Sequence, residues 1–218
     1  MKIRDLSRLL LAVLVVLAGC ASAPPAPDWQ SNGYGAMQGF TSAYLKGDTR
    51  GADQEFARAR AEIARTGRPD LMARAELMRC AAQVASLDID GCPGFQALAE
   101  DAAAGERAYA AYLAGYWQDL DPALLPPPHR ALLAGAGDAG RLGRIEEPLS
   151  RLVAAGVLLR SSRLLPSEIA LAVDTASAQG WRRPLLAWLG VQAQRARQAG
   201  DALEAARIER RIGLVMGR

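Results

Sequence analysis

The chain has 218 residues, of which 50% are hydrophobic and 22% are charged, and its formal net charge is +3. Three bases and one acid fall within the first 19 residues, so the rest of the chain is almost neutral. A chain of this length can bury the core of one domain or of one short repeat array. The near-neutral charge excludes the basic surface that nucleic-acid binding needs, and we expect no nucleic-acid partner.

The first twenty residues combine a basic start with a short apolar run. Lysine and arginine occupy positions 2, 4 and 8, and a run of Leu, Val and Ala fills residues 9–18. A membrane-spanning helix needs about 20 apolar residues, so a run about half that long predicts a signal peptide over residues 1–19. The run ends in Leu17-Ala18-Gly19-Cys20. This motif resembles the lipobox of bacterial lipoproteins, in which cleavage precedes a cysteine that carries lipid. The alternative is an ordinary signal peptide followed by a chance cysteine.

The lipobox resemblance implies a diacylglyceryl group and an N-acyl chain on Cys20. Stable anchoring needs more than one acyl chain, and these attachments would supply it. Ala21 and Ser22 follow the cysteine, whereas an aspartate directly after it is the familiar retention signal of inner-membrane lipoproteins. For a Gram-negative source, the resemblance therefore implies an anchor in the outer membrane and a domain that faces the periplasm.

A proline-rich segment follows the cysteine. Residues 20–33 contain three prolines and show no helix or strand pattern. Proline-rich chain spans about 3.1 Å per residue, so this segment predicts a semi-rigid tether of up to about 40 Å. We expect the folded domain to occupy residues 34–218.

Apolar residues in the folded part recur at helical spacing. Ala52, Phe56, Ala59 and Ile63 lie at i, i+4, i+7 and i+11, which predicts an amphipathic helix that ends near Gly67-Arg68-Pro69. A second helix is predicted from a stripe of five apolar residues: Leu71, Ala75, Met78, Ala82 and Ala85. Further helices are predicted over 95–103, 105–117, 129–135, 148–160, 167–179, 189–196 and 205–215.

Prolines place some of these boundaries. Pro148 and Pro166 suit the first turn of a helix, where their missing N–H costs nothing. The proline-rich stretch 118–128 cannot be helical throughout, and it marks a candidate subdivision of the helical domain. The predicted fold class is all-α.

Two Gly-Asp pairs are followed by similar residues at identical offsets. Gly47-Asp48 precedes Ala52, Phe56 and Ala59 by 5, 9 and 12 positions, and Gly200-Asp201 precedes Ala205, Glu209 and Ile212 in the same way. The pattern resembles the second half of the tetratricopeptide repeat, in which such a turn joins two helices. This resemblance implies stacked antiparallel helical hairpins. Glu209 and Ile212 depart from the family pattern, and a generic helical bundle with the same turn chemistry is the alternative.

Two cysteines remain after Cys20. Cys80 lies on a predicted helix and Cys92 in the turn after it. In an oxidising compartment such a pair predicts a disulfide. No Cys-x-x-Cys motif is present, so we expect the bridge to be structural.

Residue patterns of catalysis are scarce. His129 is the single histidine, so we expect a first-turn or loop position for it and no metal site. Gly135-x-Gly137-x-x-Gly140 spells a dinucleotide-binding pattern but lacks the preceding strand, which favours an interhelical loop. The acidic pairs Glu146-Glu147 and Asp119/Asp121 are candidates for acid–base chemistry, yet their places near helix starts favour a capping role. The sequence predicts no catalytic residue, cofactor or metal.

Tyrosines recur on one predicted helix. Tyr109, Tyr112 and Tyr116 lie at i, i+3 and i+7, and Trp117 adjoins them. One interpretation is packing within the core. The other is an exposed surface that binds a partner protein or a glycan, because tyrosine joins contact area to a polar tip.

Both resemblances together imply a function in the cell envelope. Lipoproteins with tetratricopeptide-like domains commonly serve there as assembly factors, so the expected function is a protein-binding scaffold whose partner is another envelope protein. The alternative is a cell-wall-acting enzyme or a glycan-binding lipoprotein. An enzyme of this kind would show a deep pocket with a perturbed acid.

Overall fold

A computed structural model of the protein describes residues 27–117, 119–134 and 140–218. The described residues form ten α-helices and contain no β-strand, which confirms the all-α class. The helices are α1 (Asp28–Lys46), α2 (Thr49–Ala64), α3 (Pro69–Ala85), α4 (Pro93–Gln96), α5 (Ala104–Leu113), α6 (Pro127–Ala134), α7 (Pro148–Arg160), α8 (Pro166–Ala178), α9 (Arg182–Gln198) and α10 (Ala202–Met216). Two short 3-10 helices cover Pro122–Leu124 and Arg141–Arg144. The predicted signal peptide, Cys20 and Gly135 and Gly137 of the glycine cluster lie outside the described residues.

The first helix begins earlier than predicted. Helix α1 starts at Asp28, inside the segment 20–33 that was expected to be a tether. Two glycines in its first turns, Gly33 and Gly35, have low helix propensity and hid the pattern. Burial of α1 side chains against α2 outweighs that cost, as Phe40 and Phe56 show with ring centroids 5.2 Å apart.

Two other helix predictions were too long. The helix expected over 95–103 is only the short α4, and turns follow it. The helix expected over 105–117 ends at Leu113, because Gly115 adopts a φ of 82° and reverses the chain.

The two Gly-Asp turns share one geometry. Gly47 and Gly200 have φ values of 90° and 74°, a region that glycine enters freely. The following aspartates, Asp48 and Asp201, each accept a backbone N–H three residues on at 2.9 Å, and so cap α2 and α10. The repeated sequence pattern therefore corresponds to a repeated local structure.

Helix α3 is shared by two apolar cores. Ala75 and Ala82 pack with α1 and α2, whereas Leu77 and Val84 face a larger core formed with α5 to α9. Trp188 of α9 is fully buried there and donates its indole N–H to the carbonyl oxygen of Ala85 at 3.0 Å. The larger core also contains Leu125 from the proline-rich stretch, together with Leu113 before it and Leu132 after it.

The first and last hairpins contact each other. Arg183 at the start of α9 donates to the carbonyl oxygen of Tyr44 at 2.8 Å and to the hydroxyl of Thr49 at 2.7 Å. Its guanidinium also lies 4.2 Å from the ring centroid of Tyr44. In a linear repeat array each unit contacts only its neighbours, so a linear stack of hairpins is not confirmed.

Candidate functional site

An apolar groove runs along the outer face of α3. Its two adjoining cavities have volumes of about 380 Å³ and 140 Å³, and Arg74 and Met78 line both. The floor is the α3 face that contains Leu71 and Ala75, and Met78, which lines both cavities, projects from this face. We call this feature the α3 groove.

Aromatic and aliphatic side chains form the two walls of the α3 groove. One wall is the start of α1, with Trp29, Tyr34 and Met37. The other wall combines Tyr109 of α5 with Leu124 of the first 3-10 helix. Three side chains stand clear of the surface, with exposed fractions of 63% for Tyr34 and 42% for both Met78 and Leu124. Exposed apolar side chains that adjoin one another are typical of a binding surface.

Three charged side chains line the groove: Arg74, Glu106 and Arg130. Arg74 lines both cavities, and its guanidinium is paired on the α5 side. Arg74 donates to the carboxylate of Glu106, with Nη2 and Oε1 2.7 Å apart. Arg130 donates from Nε to the carbonyl oxygen of Leu125 at 2.8 Å. Two guanidinium groups thus face one carboxylate, and the rim has a surplus of positive charge.

Buried carboxylates lie elsewhere, and each is paired with arginine. Glu168 lies 3.2 Å from Nε of Arg141, and its other oxygen accepts the N–H of Leu165 at 2.8 Å. Glu76 is paired with Arg60 beside a small cavity of about 30 Å³. Each buried carboxylate therefore joins two elements of the fold through its contact with arginine.

One member of each acidic pair caps a helix. Glu147 accepts the N–H of Leu149 at 2.9 Å at the start of α7, and Asp121 accepts the N–H of Ala123 at 2.9 Å. Their neighbours Glu146 and Asp119 are exposed. These contacts match the capping interpretation of the sequence.

The structure separates the four residues of the predicted tyrosine face. Tyr112 is fully buried, and its hydroxyl lies 3.1 Å from Nδ1 of His129. Tyr109 is half-buried and lines the α3 groove. Tyr116 is 71% exposed but lies beyond the end of α5, where it lines a separate cleft. Trp117 is half-buried, and the guanidinium of Arg163 lies over its ring at 4.8 Å from the centroid. Because Gly115 ends the helix and Tyr112 faces the core, the three tyrosines do not share one exposed face, and Tyr112 fits the core interpretation.

His129 lies in the first turn of α6, as predicted. It is buried among aromatic side chains, with ring centroids 4.9 Å from Tyr112 and 5.6 Å from Tyr109. Burial lowers its pKa to about 4, and the charge of Glu147 opposes that shift. Burial also raises the pKa values of both tyrosines. The described residues hold no group of three or more His, Cys, Asp or Glu side chains that could bind a metal ion.

The predicted cysteine pair is present as a disulfide. Cys80 of α3 and Cys92 have Cα atoms 5.5 Å apart and are bonded through sulfur. Cys92 adopts a φ of 58° directly before α4, and the N–H of Cys92 donates to Asp90 at 3.0 Å. The bridge fixes the chain reversal after α3.

Sequence reasoning missed most of the α3 groove. Trp29 was assigned to the tether, and Met78 was placed in an apolar helix stripe with Ala82 without a prediction that it is exposed. The available signal was side-chain size. Met78 lies between Ala75 and Ala82 in its stripe, and where alanines let two helices pack closely, a large side chain between them projects outwards.

No family model, curated protein or solved structure matches this chain. Among the described helices, none is long and apolar enough to cross a membrane.

Proposed function

We propose that this protein is a lipid-anchored scaffold of the bacterial cell envelope, and that it binds a segment of another envelope protein in the α3 groove. The observation that carries this proposal is the groove itself, an exposed apolar channel on a helical domain. Its walls and floor provide Trp29, Tyr34, Met78 and Tyr109 to a ligand.

The side-chain types of the groove favour a protein ligand. Tyr, Trp and Met are enriched in protein interfaces, and the flexible thioether of Met adapts to different apolar surfaces. Tyr34 and Met78 would each bury apolar area that water now covers.

The cellular compartment is inferred from two features that involve cysteine, the lipobox resemblance and the disulfide. The lipobox resemblance at Cys20 supports an anchor in the outer membrane, and the Cys80–Cys92 bridge is typical of an oxidising space such as the periplasm. With α1 starting at Asp28, only Ala21 to Pro27 separate the anchor from the domain. Seven residues span about 22 Å at most in a proline-rich conformation, so the proposed anchor would hold the domain close to the bilayer.

The enzymatic alternative gains no support from the described residues. A cell-wall hydrolase would need a carboxyl group with a perturbed pKa in a deep pocket. The α3 groove contains the single carboxylate of Glu106, on its rim and bound to Arg74.

Site-specific crosslinking in cells tests the proposal. A photoreactive amino acid replaces Tyr34 in the groove, and in a control strain it replaces Leu214, which is 76% exposed on α10. We expect one envelope protein to be captured from position 34 and not from position 214. Capture of nothing, or of peptidoglycan fragments alone, would overturn the scaffold function. Mass spectrometry of the N-terminal peptide, with Cys20→Ala as the control, tests the lipid anchor separately.

A further inference from the structure

We propose that the ligand of the α3 groove is an amphipathic α-helix with acidic residues beside its apolar stripe, supplied by another protein. This inference rests on the proposed protein-binding function and names the chemistry of the partner segment.

The floor of the groove has the spacing of a helix–helix contact. Leu71, Ala75 and Met78 lie at i, i+4 and i+7, the rows that interdigitate when two helices pack. Helix α3 has 17 residues and is about 25 Å long at 1.5 Å per residue. The α3 residues that line the groove, Leu71 to Met78, span about 10 Å of that length, so the floor matches about two turns of a second helix.

Small residues let a helix axis come close to this floor. Ala75 lies in the middle of the floor, while the glycines of the walls let neighbouring elements pack closely, Gly33 against Ile63 of α2 and Gly105 against the backbone of Leu124. Bulkier side chains stand further out, with Tyr34 on one rim and Leu124 on the other. A helix in the groove would thus place its apolar stripe on α3 and be gripped at its sides.

Other peptide conformations fit the groove less well. Strand addition needs an open sheet edge, and the described residues contain no strand. Polyproline ligands dock between closely set aromatic rings, whereas here the aromatic rings stand in two opposite walls and the floor between them is aliphatic. Aliphatic anchors at helical spacing match Leu71 and Met78 best.

The positive charge at the rim favours a ligand helix with acidic residues beside its apolar stripe. Arg74 and Arg130 lie on the α5 side of the groove, and Glu106 is the one carboxylate that lines it. The Arg74–Glu106 pair is largely exposed on the arginine side, at 63%, so its strength in water is low. An acidic side chain of a ligand helix can share Arg74 and can also pair with Arg130.

A bilayer fits this surface less well than a helix does. Lipid contacts favour protruding apolar residues, and only Tyr34, Met78 and Leu124 protrude here. The remaining apolar residues, such as Met37 and Leu77, are buried at the bottom of a concave surface. A helix is a rod about 10 Å wide that can enter a concave surface, and the flat face of a membrane cannot.

Binding of designed peptides to the purified protein tests the inference. The probe is an 18-residue helix with leucine at i, i+3, i+4 and i+7 and glutamate on both flanks. One control peptide has the same composition in scrambled order, and a second has lysine in place of glutamate. Measured by calorimetry, the acidic helix should bind at least tenfold more tightly than either control.

Variants of the protein locate the binding surface. Met78→Glu should weaken the acidic helix at least tenfold, whereas Leu214→Glu, which adds the same charge at an exposed leucine outside the groove, should not change its affinity. Arg74→Glu should reverse the preference, so that the lysine peptide becomes the tighter ligand. Thermal melts of all three variants show whether each is folded.

Three results would overturn the inference: equal binding of the scrambled peptide, binding that Met78→Glu leaves intact, or a preference that Arg74→Glu does not shift. Binding to vesicles of phosphatidylethanolamine and phosphatidylglycerol that depends on Met78, with no peptide binding, would assign the groove to the bilayer instead. Failure of the peptides with successful crosslinking at Tyr34 would point to a partner of other chemistry. Peptide binding with no cellular crosslink would overturn the envelope role alone.

Discussion

The hydroxyl of Tyr112 lies 3.1 Å from Nδ1 of His129, and both side chains are buried. A neutral imidazole can accept this hydroxyl through its unprotonated nitrogen. Burial keeps the ring neutral at pH 7 by lowering the pKa of His129 to about 4. The rings of Tyr109 and Trp117 lie 6.0 Å and 6.3 Å from that of Tyr112 and complete an aromatic cluster between α5 and α6. This cluster joins the helix that walls the α3 groove to the core.

Truncation of two tyrosines separates core from surface. Tyr112→Ala should lower the free energy of unfolding by about 3–5 kcal/mol, because it opens a large cavity and removes the partner of His129. Tyr116→Ala should change it by less than about 0.5 kcal/mol, since that side chain is 71% exposed. Urea unfolding of both variants measures the difference. Equal effects would show that the two tyrosines do not differ in burial as described.

The stability of the protein should fall in mild acid through His129. Its folded pKa of about 4 lies below the ordinary value of 6.5, so the unfolded chain binds the proton first as the pH drops. The stability that neutral His129 contributes is fully present above pH 6.5 and is lost as the pH falls towards 4. Between pH 7 and pH 5 the expected loss is about 2 kcal/mol.

The control for this pH effect is His129→Asn, which cannot titrate. Its free energy of unfolding should be lower at pH 7 but should depend less on pH between 7 and 5 than that of the wild-type protein. Parallel pH profiles for the two proteins would contradict the burial of a neutral His129. Carboxylates contribute equally to both profiles and cancel in the comparison.

Two helical glycines should respond oppositely to alanine. A Cβ at Gly156 of α7 would collide with the carbonyl oxygen of Val84 on α3, so Gly156→Ala should destabilise the protein by about 1–3 kcal/mol. A Cβ at Gly190 of α9 would enter open space, so Gly190→Ala should stabilise it by about 0.5–1 kcal/mol through helix propensity. Thermal unfolding of the two variants checks the signs. A stable Gly156→Ala protein would mean that α3 and α7 pack less closely than described.

Local signals in the sequence were sufficient for much of the fold. Pro148 and Pro166 start α7 and α8 as predicted, because an N–H in the first turn of a helix has no partner within the helix and proline loses nothing by lacking one. Asp48 and Asp201 cap their helices, because a short carboxylate reaches the free N–H groups of the next turn. Each of these features depends on neighbours along the chain, which a sequence displays directly.

The α3 groove depends on contacts between distant elements, and the sequence did not reveal it. Periodicity gives Ala75 and Met78 the same helix face, yet Ala75 is buried between α3 and α1 while Met78 projects outwards. Neighbouring helices determine which residues of a stripe are buried and which stay exposed. The expected alignment of Tyr116 with Tyr112 is absent for a related reason, because the helix that would have aligned them ends at Leu113.

Loss of the disulfide should weaken the fold measurably. The Cys80–Cys92 bridge closes a loop with a sequence separation of 12. The entropy that such a loop removes from the unfolded chain predicts a loss of about 3 kcal/mol when both cysteines are replaced by alanine. Guanidinium unfolding of the double variant measures this loss. A thiol count on denatured, oxidised Cys20→Ala protein should give no free thiol, and two free thiols would contradict the bridge.

Two ion pairs of the same chemistry should differ in their contribution to stability. Glu168 and Arg141 both have side chains only 3% exposed, so Glu168→Gln removes one charge from a buried pair and should cost about 3–5 kcal/mol. Glu209 and Arg197 are more than half exposed, and Glu209→Gln should cost less than about 1 kcal/mol. Chemical unfolding at low and high salt checks both values. The effect at Glu168 should persist in high salt, because solvent ions do not screen a buried pair, and a salt-sensitive effect there would show that water reaches it.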